Sequence, residues 1–497
     1  MTINRQRDAG YALLLKRYGL DDRVLWRRSA VRSDTRPREI HLEGKQVAET
    51  FPSSYHHGDD DYDHLVFALK YDGVDPYALA QVFANTDRDE LTRRIANQPT
   101  SQYARRLFFL CERLTRQRLD LPDASQGAWV RALDPTQNFT ASDVRSRRHR
   151  VIDNLLGDHE FCPSVRRTPA LSEAIAKRLD VRAAEVARDV TPSMLARATR
   201  YLYTKETKSS FAIEHEQPGD KIERYIQQLA NVGSLPLDTV EGLVDLQNSL
   251  VDARYAEPRF RSPGDPEAYV GQTVGFREQI HHVGAPSAVT PALMDGWFRM
   301  RKVEAEGGAV IEAAARSFAF VFIHPFGDGN GRTHRLLLHH VLARRGFTPE
   351  RFIVPISSVL LNDPRSYDEA LEDFSNRVMR HTRYTLNYEG ELTIKQSDVD
   401  LYRFPDLTVQ AEATFAWLER SIEEDLVGEL NFLRSLDQLL PRMREIVEMP
   451  DRKEQLFINL CRSNGGTLSK RKRAKFAELD DDVVAALEAV IREIIDD

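Results

Sequence analysis

The chain has 497 residues, hydrophobic residues make up 41% of it, and its formal net charge is −7. At about 150 residues per domain, this length predicts two to four domains of a globular protein. The mild negative charge argues against a protein whose whole surface binds nucleic acid, and no stretch approaches the roughly 20 apolar residues that cross a bilayer.

Cysteine usage and the first residues indicate a cytoplasmic protein. Cys111, Cys162 and Cys461 are odd in number and far apart, which fits free thiols in a reducing compartment and gives no zinc or disulfide pattern. Residues 1–7 are polar and lack the apolar stretch of a secretory signal. We therefore expect a cytoplasmic protein with no membrane partner.

Helical periodicity recurs along the chain, whereas strand patterns are sparse. Apolar residues recur at spacings of three and four over 107–114, 222–229 and 483–494, which predicts a mainly α fold. One short hairpin is predicted from Gly275 to Thr290, with the turn at Gly284-Ala285-Pro286.

Composition and breaks divide the chain into three regions. We predict an N-terminal module over 1–190 whose role the sequence does not assign, a helix-rich catalytic region over 191–390, and a C-terminal helical module over 391–497. Both flanking modules are expected to be mostly helical.

A tight polar loop lies between two apolar stretches. The loop reads His-Pro-Phe-Gly-Asp-Gly-Asn-Gly-Arg-Thr-His-Arg over 324–335, and the stretches are 313–323 and 336–342. Both stretches are predicted helices, and the second is expected to end near Gly346.

The glycines and arginines of this loop point to an anion site. The backbone amides of Gly329, Asn330 and Gly331 would open the second helix, and a helix N-terminus attracts phosphate. Arg332 and Arg335 are three residues apart, so they share one face of that helix and could hold successive phosphates.

The other polar residues of the loop supply a base and a metal ligand. Asp328 offers hard oxygen ligands suited to Mg²⁺ that is shared with phosphates. His324 can accept a proton near neutral pH. Together these groups describe phosphoryl or nucleotidyl transfer, although a plain glycine-rich turn with solvated arginines is the simpler alternative. The loop is not a Walker P-loop, because no Gly-Lys-Ser/Thr ending is present.

The loop resembles the signature of the Fic family, His-Pro-Phe-x-Asp/Asn-Gly-Asn-Gly-Arg-x-x-Arg, at every defined position. The resemblance implies a helical Fic core with a short β-hairpin flap, which transfers AMP from ATP to a Tyr, Thr or Ser hydroxyl. It implies that His324 is the general base and Asp328 holds Mg²⁺. It also implies that Asn330 and the glycine amides cradle the α- and β-phosphates, with Arg332 on the β-phosphate and Arg335 on the γ-phosphate.

An upstream segment resembles the inhibitory motif of the same family, Ser/Thr-x-x-x-Glu-Gly/Asn. Ser210 and Glu214 match it, whereas His215 departs from the usual Gly or Asn. The resemblance implies that Glu214 pairs with Arg335 and repels the γ-phosphate. The alternative is an ordinary glutamate in the first turn of a helix, where the dipole favours it.

Two further segments resemble parts of the family's site. The predicted hairpin resembles the flap that aligns the target by strand addition. Residues 362–367 resemble the border of the nucleotide base, which implies that Tyr367 stacks on adenine and Asn362 bonds near it. The alternatives are a packed tyrosine and a turn asparagine. His281 and His282 point to opposite faces of a strand and are taken as structural.

Other functions were weighed against this hypothesis. A metal-dependent hydrolase would use His324, Asp328, His334 and His339, but a spacing of five residues between the last two does not place both on one helix face. A DNA-binding regulator would use the basic run 469–475, which acidic residues follow immediately. Within the family, another nucleotide donor or removal of AMP uses the same site. The expected partner is a protein substrate and nucleic acid is not expected. The sequence leaves open self-modification and homo-oligomerisation.

Overall fold

The computed structural model describes residues 6–56, 58–188, 192–217, 219–274, 277–348, 352–462 and 464–495. In these ranges the protein has twenty α-helices and eleven short strands. The prediction of a mainly α fold is confirmed. No helix among the described residues is long and apolar enough to span a membrane.

The helices are numbered here in chain order. They are α1 Gly10–Arg17, α2 Asp61–Phe67, α3 Pro76–Asn85, α4 Arg88–Ala96, α5 Gln102–Thr115, α6 Pro169–Ala176, α7 Leu179–Arg188, α8 Pro192–Ile213, α9 Ile222–Ala230, α10 Val240–Leu250, α11 Thr290–Phe298, α12 Gly308–Ile323, α13 Asn330–Arg344, α14 Ile356–Asn362, α15 Pro364–His381, α16 Val399–Arg403, α17 Thr408–Arg420, α18 Val427–Ile446, α19 Asp451–Arg462 and α20 Asp481–Ile495.

The strands form four small sheets. They are β1 Gln6–Ala9, β2 Arg27–Arg32, β3 Glu39–Glu43, β4 Gln46–Phe51, β5 Val130–Arg131, β6 Val144–Ser146, β7 Val151–Asp153, β8 Tyr269–Val274, β9 Arg277–Val283, β10 Arg383–Leu386 and β11 Leu392–Gln396. The orders are β1-β2-β4-β3, β5-β7-β6, β8-β9 and β10-β11. Seven of these strands precede residue 154, where the sequence pattern predicted mostly helix.

Helix α12 lies at the centre of the core. Nearly all of its residues are buried, including Phe318 and Phe320, as expected for a helix that is apolar on every side. It packs against α13, α17 and α11. Because α12 and α13 are both buried, the six-residue loop that joins them is held at both ends by the core.

A hairpin forms over 269–283 and not over the predicted range, whose first residue, Gly275, lies outside the described residues and whose last, Thr290, begins α11. Strands β8 and β9 are antiparallel and the register pairs Val274 with Arg277, so Gly284 follows the second strand and is not the turn between the two. Instead, the Gly284 amide donates to Ala268 O (2.8 Å) and the Ala285 amide to Ile323 O (3.0 Å). The residues of the predicted turn therefore connect the hairpin to the end of α12 through these hydrogen bonds.

Candidate active site

The loop between α12 and α13 begins and ends on residues with left-handed backbone. His324 has φ 56° and Gly329 has φ 83°. This conformation is costly for a non-glycine residue, and such strain concentrates at functional sites. The Asn330 side chain accepts from Phe326 N (3.1 Å) and donates to Phe326 O (2.8 Å). The side chain of Asn330 is thus occupied by Phe326, and its backbone N–H is the group that could face a phosphate.

His324 is oriented by the last turn of α12. Its Nδ1 lies 3.1 Å from Val321 O, so Nδ1 carries the proton and Nε2 keeps its lone pair. Burial, followed by the nearby His282 and Arg261, lowers the pKa of His324 to about 3. The imidazole is therefore neutral at physiological pH and can accept a proton through Nε2.

Two buried guanidinium groups project from the first turns of α13. The side chains of Arg332 and Arg335 are 2% and 3% exposed. Arg332 Nε and Arg335 Nη1 are buried and have no hydrogen-bond partner among the described residues. Buried donors of this kind are costly unless an acceptor satisfies them. Their position beside the N-terminus of α13 makes phosphate oxygens suitable acceptors.

Arg335 is held by the last turn of α8 and by the residue that follows it. Its Nη2 donates to Glu214 Oε1 (2.8 Å) and to Ser210 O (2.8 Å), and its Nε donates to Ser210 Oγ (2.9 Å). Burial raises the pKa of Glu214, but the charge and hydrogen bond of Arg335, together with Arg332 and His334, leave that pKa below the usual value. Glu214 also lies close to Gly331, where an added Cβ would come within 2.2 Å of Oε1.

The backbone after α8 explains the departure at His215. Helix α8 ends at Ile213, and the amides of His215 and Glu216 donate to Ala212 O (3.0 Å) and Phe211 O (3.0 Å). His215 has φ 55°, the left-handed cap that favours Gly or Asn but that His also tolerates. The alternative of a first-turn glutamate is therefore wrong, since Glu214 follows a helix end.

Asp328 is the most accessible polar residue of the loop. Its side chain is 39% exposed, and Oδ1 accepts from Gly329 N (2.5 Å) and from Arg332 Nη2 (3.1 Å). Within the described ranges, no group of three or more His, Cys, Asp or Glu side chains could hold a metal by itself. A metal at Asp328 would take its other ligands from water or from a bound substrate.

One region of the chain matches a known protein family. Residues 236–342 match the Fic/DOC family. The chain contains a Fic domain. The matched range includes the whole loop over 324–335, whereas Ser210 and Glu214 lie before it.

Curated relatives align over short segments of the chain. A protein adenylyltransferase Fic of Nematostella vectensis is 60% identical over 40 residues, 8% of this chain and 9% of that protein. Protein adenylyltransferase fic-1 of Caenorhabditis briggsae is 48% identical over 102 residues, 20% of each chain. A solved Fic family protein from Desulfovibrio desulfuricans G20 has 18% identity and a TM-score of 0.39, over 61% of this chain and 86% of that one.

A cavity of about 520 Å³ opens beside His324 in the Fic domain. It lies between the β8–β9 hairpin and one face of α15, and its lining includes Gln272, His281, Asp368, Leu371 and Glu372. Its volume suits a nucleoside-sized ligand.

Neither predicted base-binding residue lines this cavity. Tyr367 is 7% exposed, and its ring packs on His334 (6.2 Å) and Trp417 (5.8 Å). The structure therefore favours the packed tyrosine over an adenine stack. Asn362 is exposed at the last residue of α14.

The residues of the hydrolase alternative do not converge. His334 is buried against Phe318, with ring centroids 4.7 Å apart. His339 pairs instead with buried Glu206 of α8 at 2.9 Å, and Ser357 N of α14 also donates to Glu206 (2.9 Å). These contacts fix α8 against α13 and α14, so they position the segment that carries Glu214.

Three residues that hold the Fic loop were not identified from the sequence. Glu257 Oε1 accepts from Gly327 N (2.6 Å), and Gln247 Nε2 donates to Asp328 O (3.1 Å). Arg261 Nε donates to His324 O (2.9 Å), and its Nη2 donates to Ala285 O (2.9 Å). All three precede the hairpin in segments without a recognisable motif.

Arg261→Ala is expected to destabilise the Fic core. The side chain is 4% exposed and its loss leaves buried carbonyls without donors, which costs about 1–3 kcal/mol of unfolding free energy. Urea unfolding, monitored by circular dichroism, measures the change in unfolding free energy. Arg259→Ala is the matched control, since Arg259 is 54% exposed and pairs with the partly exposed Asp265. Equal midpoints for the two variants would contradict the assignment.

Proposed function

We propose that this protein is a protein adenylyltransferase, which transfers AMP from ATP to a Tyr, Thr or Ser hydroxyl of a protein and is restrained by Glu214. The observation that carries the proposal is the pair of buried arginines with unsatisfied donors beside the glycine-capped N-terminus of α13. The names of the curated relatives support the same reaction class.

The triphosphate would extend along α13 in this proposal. The backbone amides of Asn330 and Gly331 face the α- and β-phosphates, because unpaired N–H groups at a helix start favour negative charge. The Gly329 amide donates to Asp328 Oδ1. Arg332 binds the β-phosphate and Arg335 the γ-phosphate through charge-assisted hydrogen bonds. The nucleoside then occupies the cavity between the hairpin and α15, next to His324.

His324 would act on the attacking hydroxyl. The target oxygen forms a bond to the α-phosphorus while the bond to pyrophosphate breaks and pyrophosphate leaves with the electron pair. Nε2 takes the hydroxyl proton, because Nδ1 is committed to Val321 O. The phosphates of bound ATP would raise the low pKa of His324 towards the range in which a base is effective.

Magnesium fits Asp328, although this carboxylate cannot hold it alone. The donor is a hard oxygen, 39% exposed and adjacent to the proposed phosphate positions, and Mg²⁺ is usually bound by one or two carboxylates together with phosphates. When bound, the ion would neutralise charge on the β-phosphate and α-phosphate oxygens.

The β8–β9 hairpin is proposed to present the target. A two-stranded sheet at the mouth of the cavity offers a free strand edge, and an extended target segment can pair with it through backbone hydrogen bonds. Pairing of this kind recognises the backbone of the target more than its side chains. It is therefore compatible with a Tyr, Thr or Ser hydroxyl as the acceptor.

Mass spectrometry tests the proposal directly. Glu214→Gly protein is incubated with lysate, ATP and Mg²⁺, and tryptic peptides are searched for side chains that carry an AMP adduct. The expected result is adducts on Tyr, Thr or Ser that are absent with His324→Ala. Adducts of phosphate alone, or of another nucleotide when ATP is the only donor, would contradict the proposed reaction.

Asp328→Ala and Arg332→Ala are each expected to remove transfer in the Glu214→Gly background. The first loses the magnesium ligand and the second the β-phosphate contact. Arg254→Ala is the matched control, since Arg254 is 79% exposed and pairs with Asp252. Transfer should also stop in excess chelator. Full activity with chelator present would refute the metal assignment.

A further inference from the structure

The segment that follows α8 carries two carboxylates, and each one contacts a different arginine of the Fic loop. Glu214 contacts Arg335, and Glu216 Oε2 accepts from Arg332 Nη1 at 2.8 Å. His215 lies between them with φ 55°. The cap of α8 thus directs both neighbouring glutamates towards α13.

Arg332 is already held in place without Glu216. Its Nη1 also donates to Leu250 O (2.9 Å) and its Nη2 to Asp328 Oδ1 (3.1 Å), and its guanidinium lies 5.4 Å from the Phe211 ring. The Glu216 side chain is 38% exposed, whereas Arg332 is 2% exposed. Glu216 therefore covers the buried guanidinium from the solvent side and occupies one of its donors.

We propose that Glu216 is a second lock, which occupies Arg332 as Glu214 occupies Arg335, so that the resting site admits a nucleoside monophosphate but binds ADP and ATP poorly. The inference rests on the proposed function, in which these arginines take the β- and γ-phosphates. A carboxylate at the β-phosphate position competes for Nη1 and repels the phosphate charge.

The two locks have separable consequences. Glu216 accepts from Arg332 and, among the described residues, from none of the backbone amides of 329–331, so AMP should bind equally with and without Glu216. ADP requires Arg332, so its affinity depends on Glu216. ATP requires both arginines. Because both carboxylates lie within three residues of one helix cap, displacement of this single segment releases both locks together.

Isothermal titration of AMP, ADP and ATP separates the locks. The proteins are wild type, Glu214→Gly, Glu216→Gln and the double variant, with Mg²⁺ present. Glu223→Gln is the matched control, because Glu223 is an exposed carboxylate nearby on α9. We expect Glu216→Gln to tighten ADP by about tenfold and to leave AMP unchanged, and the double variant to bind ATP most tightly. A tenfold change corresponds to about 1.4 kcal/mol.

The outcomes distinguish the lock from the proposed function. Suppose that the double variant binds ATP but the ADP dissociation constant of Glu216→Gln stays within twofold of wild type. This result would overturn the second lock and leave the proposed function standing. An equal gain for AMP and ADP would also overturn it, since a general loosening of the site would explain that result. Failure of every variant to bind any of the three nucleotides would overturn the proposed function and the lock with it.

Discussion

Glu214→Gly is expected to raise AMP transfer to protein by at least about tenfold. Glu214 holds Arg335 at 2.8 Å, and Arg335 is 3% exposed, so removal of the carboxylate frees a buried donor and the position of the γ-phosphate. Coupling between close charge pairs of this kind is about 1.5 kcal/mol or more, and 1.4 kcal/mol is a factor of ten. Incorporation of α-labelled ATP into lysate protein measures the effect.

The partner of Glu214 supplies the control for this prediction. Glu214→Gly combined with Arg335→Ala should lose the gain, because the freed arginine is its cause. Glu216→Gln added to Glu214→Gly should increase the gain further. If the Glu214→Gly and Glu214→Gly/Glu216→Gln proteins fold normally and both transfer AMP at the wild-type rate over a range of ATP concentrations, the inhibitory role is refuted.

His324→Ala is expected to lower transfer by about 10²–10⁴-fold in the Glu214→Gly background, which is the usual range for loss of a general base. The fold should remain, because the side chain makes one hydrogen bond, to Val321 O, at the end of α12. Thermal unfolding and single-turnover labelling report the two effects separately.

Exposed His41 on strand β3 supplies the matched control, His41→Ala, which should transfer at the parent rate. Near-normal labelling by His324→Ala would remove this residue from the chemistry. A large loss of thermal stability would instead show that the imidazole has a structural role.

The sequence identified the parts of the site that are contiguous. Residues 324–335 lie between two apolar stretches, and the structure has helices there, α12 and α13. The positive φ at Gly329 and the helix end near Gly346 also follow from local rules. Local sequence can predict these features because each depends on neighbours within one or two turns.

The parts that join distant segments could not be predicted in this way. Arg261 and Glu257 contact the loop from 63 and 70 residues upstream. Glu216 contacts Arg332 across 116 residues of sequence, a separation that local periodicity does not predict. The strands before residue 154 were missed because buried polar residues, such as Ser29 and Arg32 in β2, break the alternation that identifies a strand. The hairpin turn was predicted at the wrong place because Gly284, a strong turn signal in the sequence, instead belongs to the segment that connects the hairpin to α12.

Comparison of α-labelled with γ-labelled ATP tests the central claim most directly. Glu214→Gly protein and its His324→Ala derivative are incubated with lysate and Mg²⁺, and label on protein is counted after denaturation. AMP transfer predicts label from the α-position that depends on His324, and γ-label that is the same with and without His324, since kinases of the lysate supply it. Label from the γ-position that depends on His324, or α-label that is equal with and without His324, would contradict it.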